Sequence, residues 1–451
     1  MYKKSLFGIF LAMIQGLLFA QQWQPVLSGV LINKFIVSPS YSDDGIIYAI
    51  DEVRGLYRSV DRGLNWSNVY EPADPNDPSE WIVDMVISPD FDNDQTLLMI
   101  VGEGYGFLKR STNGGSDWGY LPTPGNEALQ TITFSSDYSN DQTIFCWTFS
   151  GVAKFWKTTD PDNGWSFVSE FSIPLEFDYL KSAGAVSNNQ SLFSGALIGA
   201  HLLRSIDSGV SWNNINGWSG ATELLDFDVS SGFANDSSLF AAVHYSDQSN
   251  VMCNVHGGDP FAWQICYSNT QYVAGLSLSP YFLSDHTLVI GVDLSGVFLS
   301  SNGGYSWSEM NDGLLNYHML SVLVSEADPF EAFASTYLTG ALPDKIWKFS
   351  NDNPTGINNQ VTEPVWCVQL QNYPNPFNKA TTLTWKLLKD MHVALKVYDF
   401  TGREITTLVD CEQAMGEHSV KFDATGLPAG VYFYQLQANG KVETKKMIVL
   451  K

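Results

Sequence analysis

Positive charge is what this sequence has least of. Lys and Arg number 24 against 48 Asp and Glu, for a net charge of −24. A field of that sign repels nucleic acid and anionic membrane surfaces, so no nucleic-acid partner is expected. Cysteine is sparse as well. The five, Cys146, Cys253, Cys266, Cys367 and Cys411, are odd in number, too few for a disulfide scaffold and without metal-ligand spacing, so no metal and no cofactor is expected. Charged residues make up only 16% of the chain, while aromatics reach 14% and glycines number 37. That balance leaves little material for long solvated helices and favours short strands with tight turns. The 451 residues suffice for two or three domains, one with a sizeable core.

Long apolar runs are missing too, except at the start. Residues 1–20 carry Lys3 and Lys4, an apolar run from Leu6 to Leu18, then Phe19 and Ala20 before the polar Gln21 and Gln22. The run is short for a membrane span and the order of regions is that of a signal peptide, so the mature chain is expected to begin near Gln21.

What recurs is an eight-residue turn, S-x-D-x-G-x-x-W. Ser59, Asp61, Gly63 and Trp66 set it out, and Ser205, Asp207, Gly209 and Trp212 repeat it in full. Ser111, Asn113, Gly115 and Trp118 keep the frame with Asn for Asp, as do Ser300, Asn302, Gly304 and Trp307; Thr158, Asp160 and Trp165 form a weaker copy. A degenerate turn around Trp263 brings the tryptophan series to 66, 118, 165, 212, 263 and 307, spaced by 52, 47, 47, 51 and 44 residues. Such a period marks one supersecondary unit per repeat. Ser and Asp bond nearby backbone amides, Gly permits positive φ, and Trp buries its ring, so these positions are expected to be structural rather than catalytic. The pattern resembles the Asp-box, or sialidase-type BNR, repeat of β-propellers.

A second phrase precedes each turn, as in Ser88-Pro89-Asp90-Phe91-Asp92-Asn93-Asp94, with related copies starting at Ser38, Ser135, Ser230 and Ser279. It joins two apolar runs and reads as a loop between strands. Asp90, Asp92 and Asp94 have calcium-loop spacing, but the glycine and terminal Glu of such a loop are missing, which favours a turn cap. Each unit then reads as a four-stranded blade. The expected fold is all-β: a seven-bladed β-propeller over residues 22–353, with six or eight blades as alternatives, followed by a small Ig-like β-sandwich. The seventh unit lacks its Trp and last strand, which Gln22 to Leu27 would supply, removing a sheet edge. Cys253 and Cys266 flank the degenerate turn and form a candidate disulfide if strand register closes.

Ligands are expected on the face opposite the repeated turns, where the connections vary. Glu52, Asp84, Glu103 and Asp293 are the carboxylate candidates for glycosidic chemistry, while Trp81, Tyr105, His244, Tyr245, Tyr317, His318 and Tyr337 are binding candidates, since rings and acids around a mouth suit a carbohydrate. Sialidases of the resembled family hold their substrate with three arginines, the first in an F/Y-R-I-P motif that this chain lacks. Arg58, Arg110 and Arg204 instead directly precede Ser59, Ser111 and Ser205, in equivalent strand positions. Three readings compete: a non-catalytic surface or secreted binding module for a glycan or protein, a glycoside hydrolase with paired carboxylates, and an assembly factor like the photosystem II helper that shares these repeats.

A polar linker, 354–368, leads to a different module at 369–451. Its ordered motifs are N-Y-P-N-P-F-N from Asn372 to Asn378, V-Y-D from Val397 with Gly402, L-P-A-G-V-Y from Leu427 to Tyr432, and the closing Lys445-Lys446-Met447. These resemble the type A C-terminal sorting domain of the type IX secretion system. The resemblance implies a translocon partner and an exported protein, secreted or held on the outer surface of a diderm bacterium.

Overall fold

The computed structural model describes residues 22–350 and 367–450, apart from 52–54, 75–76, 103, 105, 172–174, 187–188, 328–329, 338–343, 388–389, 400–402, 415 and 439–440. The expected signal peptide, most of the linker, and the candidates Glu52, Glu103 and Tyr105 lie outside the described residues. The chain divides into two compact units, Met1–Gly356 and Ile357–Lys451.

The first unit is propeller-like. Its described residues form seven four-stranded antiparallel sheets. Sheet 1 comprises Ile32–Val37, Ile47–Asp51, Gly55–Ser59 and Ser67–Tyr70, and sheet 2 comprises Ile82–Ile87, Leu97–Val101, Phe107–Ser111 and Gly119–Leu121. Sheet 3 (Ala128–Phe134, Ile144–Phe149, Ala153–Thr158, Ser166–Phe171) and sheet 4 (Tyr179–Val186, Asn189–Ala196, His201–Ser205, Asn213–Asn214) follow the same order. So do sheet 5 (Glu223–Val229, Leu239–His244, Ser249–Asn254, Gln264–Asn269) and sheet 6 (Val273–Leu278, Leu288–Val292, Gly296–Ser300, Ser308–Glu309). Sheet 7 takes Met319–Ala327, Phe330–Thr336 and Lys345–Ser350 from late in the unit and Gln24–Ser28 from its start. Neighbouring sheets touch along the chain, and Met319–Ala327 of sheet 7 meets Ile32–Val37 of sheet 1. Second strands such as Ile47–Asp51, Leu97–Val101 and Leu288–Val292 are buried at every position, which is why they read as continuous apolar runs instead of alternating ones. Outer strands are as short as Asn213–Asn214 and Ser308–Glu309 and exposed, a form that discourages edge-to-edge pairing.

The recurrent turn joins third and fourth strands. Ser59 Oγ donates to Asp61 at 2.8 Å and accepts the Gly63 amide at 2.9 Å, while Asp61 accepts the Asn65 amide and Trp66 Nε1 donates to Gly63 O at 3.0 Å. The same bonds recur from Ser111, Ser205 and Ser300. Glycine is required because the backbone there turns left-handed against the preceding sheet: φ is +77° at Gly63 and +87° at Gly209, and an added Cβ would lie 2.3 Å from Phe333 and 2.0 Å from Phe155. In the fifth turn Asn254 takes the serine's part, its Oδ1 accepting the Gly258 amide at 3.2 Å.

Between the first and second strands of sheets 1, 2, 3, 5 and 6 the described residues form one turn of helix where the sequence suggested only a loop. Tyr41–Asp44, Phe91–Asp94, Tyr138–Asp141, Phe233–Asp236 and Phe282–Asp285 are the five copies. Each final Asp accepts the hydroxyl of the serine six residues earlier, as Asp94 does from Ser88 at 2.7 Å, and the amide two residues on, as from Thr96 at 2.8 Å. Asp90 and Asp92 are likewise engaged, Asp90 by the Asn93 side-chain Nδ2 and Asp92 by the Ser40 hydroxyl. No cluster of three or more metal-ligand side chains occurs among the described residues.

The seam of the circuit is built differently. Gln24–Ser28 pairs antiparallel with Lys345–Ser350, and Trp23, 1% exposed, donates its Nε1 to Met310 O at 2.5 Å and packs on Phe349. Where the other second strands set Leu or Ile opposite the last residue of the third strand, as Ile47 faces Ser59 and Leu192 faces Ser205, sheet 7 has Glu331, paired with Ser350 in register. Glu331 is buried and meets Lys348 Nζ at 3.0 Å, the Tyr41 hydroxyl at 2.9 Å and Arg62 Nε at 3.2 Å. Burial, then the Glu331 charge, pushes the Tyr41 hydroxyl well above its usual range.

The second unit packs a three-stranded sheet (Cys367–Tyr373, Ala380–Leu387, Gly416–Asp423) with a four-stranded one ordered Glu404–Gln413, Met391–Asp399, Gly430–Ala438, Lys441–Val449. Leu383, Trp385 and Phe422 from one and Val393, Leu395, Val397, Tyr434 and Met447 from the other share a single core.

Removing one partner of a buried ion pair leaves the other charge uncompensated, at a cost of about 3–5 kcal/mol, whereas replacing both by apolar groups is close to neutral. Glu331→Ala is therefore expected to lower unfolding free energy by about that amount in urea titrations, and the Glu331→Leu/Lys348→Met double variant to recover most of it.

Candidate functional site

At the end of the sheets opposite the recurrent turns, the second-to-third-strand turns of sheets 2, 4, 5, 6 and 7 are tied by backbone bonds to connections entering or leaving their sheets. Asp293 N donates to Tyr272 O at 2.8 Å, Leu294 N to Tyr317 O at 2.8 Å, and Tyr337 N to His318 O at 3.0 Å. These ties draw together residues from the turn of sheet 6, the connection to sheet 7 and the turn of sheet 7. Buried Asn316 fixes the arrangement, donating Nδ2 to Tyr337 O at 2.6 Å and accepting the His318 amide at 3.0 Å.

The result is a compact cluster of Asp293, His318 and Tyr337. His318 Nδ1 lies 3.3 Å from Asp293 Oδ1 and 3.1 Å from the Tyr337 hydroxyl, and that hydroxyl donates to the Asp293 carboxylate at 3.3 and 3.4 Å. Burial, then the Asp293 charge, raises the Tyr337 hydroxyl above its usual value. A proton on Nδ1 leaves Nε2 as an acceptor in the neutral ring. Both the Asp293 and His318 side chains retain about a quarter of their surface, 22% and 25%, so the cluster can still meet a ligand. Tyr272 and Tyr317 beside it are 44% and 41% exposed. His244 stacks on Tyr272, centroids 4.0 Å apart at 21°, and its Nδ1 is 3.0 Å from Ser249 Oγ.

Other sequence candidates lie elsewhere. Trp81 ends the short helical turn Pro78–Glu80, its carbonyl accepting the Gly102 amide. Tyr245 is half-buried, and burial raises its hydroxyl. Asp84, expected at the mouth, is buried in the first strand of sheet 2, accepting Lys34 Nζ at 2.7 Å from sheet 1 and Thr131 Oγ1 at 3.0 Å from sheet 3. The tie is repeated: Asp228 accepts Lys181 Nζ at 2.7 Å from sheet 4 and the Leu278 amide at 2.9 Å from sheet 6, and its neighbour Asp226 accepts the Leu276 amide at 2.9 Å. Burial pushes the Asp226 carboxyl up to about 6, with Lys181 pulling part of the way back. Burial lowers Lys181, but Asp228 and Asp226 hold it above its ordinary value. Sequence reasoning missed Tyr272 and Asn316, and also Lys181, Asp226 and Asp228. The signal for the last three was present, as charges inside first strands that pair sheet against sheet.

The fold and this geometry can be set beside known proteins. A domain-family model, the secretion system C-terminal sorting domain, matches residues 371–450. The protein is thus an exported one, secreted or displayed at the cell surface, with a tail that engages the secretion system. Among the described residues no helix is long and apolar enough to cross a membrane. No curated protein matches the chain. Among solved structures, the GH74 xyloglucanase from Xanthomonas campestris is similar over 81% of this chain at 14% identity with a TM-score of 0.50. The match covers 59% of that enzyme's chain. Sqt1 of Saccharomyces cerevisiae is similar at 9% identity, with 96% of this chain and 99% of that one covered and a TM-score of 0.46. The likeness to the xyloglucanase is one of fold, a propeller-like all-β architecture.

An acid whose pKa is higher folded than unfolded binds its proton more tightly in the folded state, so it favours folding at low pH and ceases to do so as pH rises through the folded value. Asp226 therefore contributes a fall in stability between about pH 4, near an unperturbed Asp, and its folded pKa of about 6. Urea midpoints measured across that window are expected to decline less steeply for Asp226→Asn than for the parent.

Proposed function

We propose that the protein is a seven-bladed β-propeller of the Asp-box kind, delivered by an Ig-like sorting sandwich, and that it serves as a non-catalytic binding module for a carbohydrate. The observation that carries this reading is the Asp293–His318–Tyr337 cluster flanked by the exposed rings of Tyr272 and Tyr317. Tyrosine offers an apolar face with a polar tip, and the cluster offers acceptors and a donor held in place by second contacts, a combination suited to polyhydroxylated rings. The recurrent turns occupy the opposite end, where their side chains are engaged by their own backbone amides.

A hydrolase is the second reading, favoured by the position of Asp293 among the rim aromatics. It needs another carboxylate within about 5–10 Å, for which Glu52 and Glu103 are the sequence candidates. Asp84 serves that role poorly, since Lys34 and Thr131 already occupy its oxygens.

Glycan-array binding by the full chain is expected to weaken at least tenfold, about 1.4 kcal/mol, in Tyr317→Ala and in Asp293→Asn, with urea midpoints close to the parent. Turnover of a bound glycan that Asp293→Asn abolishes would replace the binding reading with the hydrolase one. The tail makes a separate prediction. A chain lacking 371–450, expressed in a bacterium with the type IX system, is expected to accumulate in the periplasm, as cell fractionation would show.

A further inference from the structure

Sheet 5 differs from the others in the hairpin between its third and fourth strands. Asn254 replaces the turn serine, His256 stands where Asp is found in the full repeats, and nine residues, 255–263, separate the strands, against seven, 60–66, in sheet 1. The side-chain oxygen of Asp or Asn that ties the ends of the turn in sheets 1, 2, 4 and 6, as Asp61 accepts the Asn65 amide at 2.8 Å, has no counterpart at His256.

Cys253 and Cys266 stand on the two strands of this hairpin. Val251 pairs with Tyr267, but the register then shifts, so that Met252 faces Ile265 and Cys253 faces Gln264. Cys266 is thus the extra residue of a β-bulge. In regular pairing it would lie opposite Met252 and point away from Cys253, because side chains alternate between faces. The bulge re-aims it. Both cysteines pack in the core between sheets 5 and 6 with Phe240, Tyr267 and Trp307, whereas Met252 packs in the core on the other side of sheet 5. The two are free thiols in the structure and neither is fully buried.

We propose that Cys253 and Cys266 are an oxidation site, closing a disulfide across the fifth hairpin during export and so adding a covalent tie to a longer turn that only Asn254 holds in the serine's manner. The reaction is thiol–disulfide exchange with an oxidised dithiol carrier of the cell envelope. The Cys253 thiolate attacks one carrier sulfur, the carrier's disulfide breaks, and a mixed disulfide forms. The Cys266 thiolate then attacks the Cys253 sulfur and expels the carrier as its second thiolate. Two electrons and two protons pass from the cysteine pair to the carrier, which leaves as a dithiol. Cys253 suits the first attack because its interaction with the neighbouring Cys266 thiol holds it below the ordinary thiol range, against the effect of burial. The proposal is independent of what the rim binds.

The test uses the full chain recovered from an oxidising compartment, denatured without reductant and titrated with a mass-tagged maleimide. Of the five cysteines, three are expected to react, rising to five after reduction, and peptide mapping should show the Cys253 and Cys266 peptides joined. Cys266→Ser should show four reactive thiols with or without reductant. A chain carrying Cys146→Ser, Cys367→Ser and Cys411→Ser together should show none before reduction and two after. Five reactive thiols in the unreduced parent, or a link from either residue to Cys411 in place of its hairpin partner, would overturn the proposal.

Discussion

The architecture depends on a hydroxyl that bonds in two directions. In the full turns the serine Oγ donates to the Asp or Asn two residues on and accepts the amide of the glycine four residues on. At Gly63 and Gly209 that second bond holds the glycine left-handed and lays its backbone against Phe333 and Phe155 of the preceding sheets, too close for a side chain. The tryptophan completes the contact: Trp66 meets Phe333 of sheet 7, Trp118 meets Tyr70 of sheet 1, and Trp212 meets Trp147 and Phe155 of sheet 3. A local turn is therefore also the joint between sheets. Its bonds are each worth only about 1 kcal/mol net, but repetition along the chain and burial of the rings make the joint cooperative.

A series of joints that each face backward leaves the last sheet in need of a partner strand. Gln24–Ser28 supplies it, and Trp23 fills a site against sheet 6. The seam also holds a fully enclosed ion pair, Glu331 with Lys348, bridged to sheet 1 through Tyr41 and Arg62. Buried charge of this kind is a weak source of stability and a strong penalty when mismatched, which suits a contact that must form only with the correct strand. The first strands use the same logic around the circuit, where Lys34, Asp84 and Thr131, and again Lys181, Asp228 and Leu278, link three successive sheets.

With one end of the sheets committed to these turns, the other is free to vary. Its connections are held by backbone bonds such as Leu294 N to Tyr317 O, which constrain position without prescribing side chains. Asp293, His318 and Tyr337 are consequently fixed in space yet partly open to solvent, the condition under which a recognition site is preorganised without being consumed by the fold.

Much of this was readable from the chain alone. Repeated four-stranded all-β units follow from the tryptophan spacing and the serine, aspartate and glycine frame, because those residues act through bonds within eight positions of one another. The sorting tail was likewise readable from ordered motifs in one continuous stretch. The helical turns such as Phe91–Asp94 were not, since four residues are too few to show a helical period, and Asn254 escaped notice because an amide oxygen does a hydroxyl's work under a different letter. Asp84 carried the right chemistry for the mouth and sits in an inter-sheet tie instead. Tyr337 and Asp293 are 44 positions apart, and nothing local says that they meet. Sequence determined what short-range hydrogen bonding and ring burial could encode. Which charges are buried, which rings line the rim and which acid faces a histidine were decided only when neighbouring sheets packed, because those contacts join residues that share no turn.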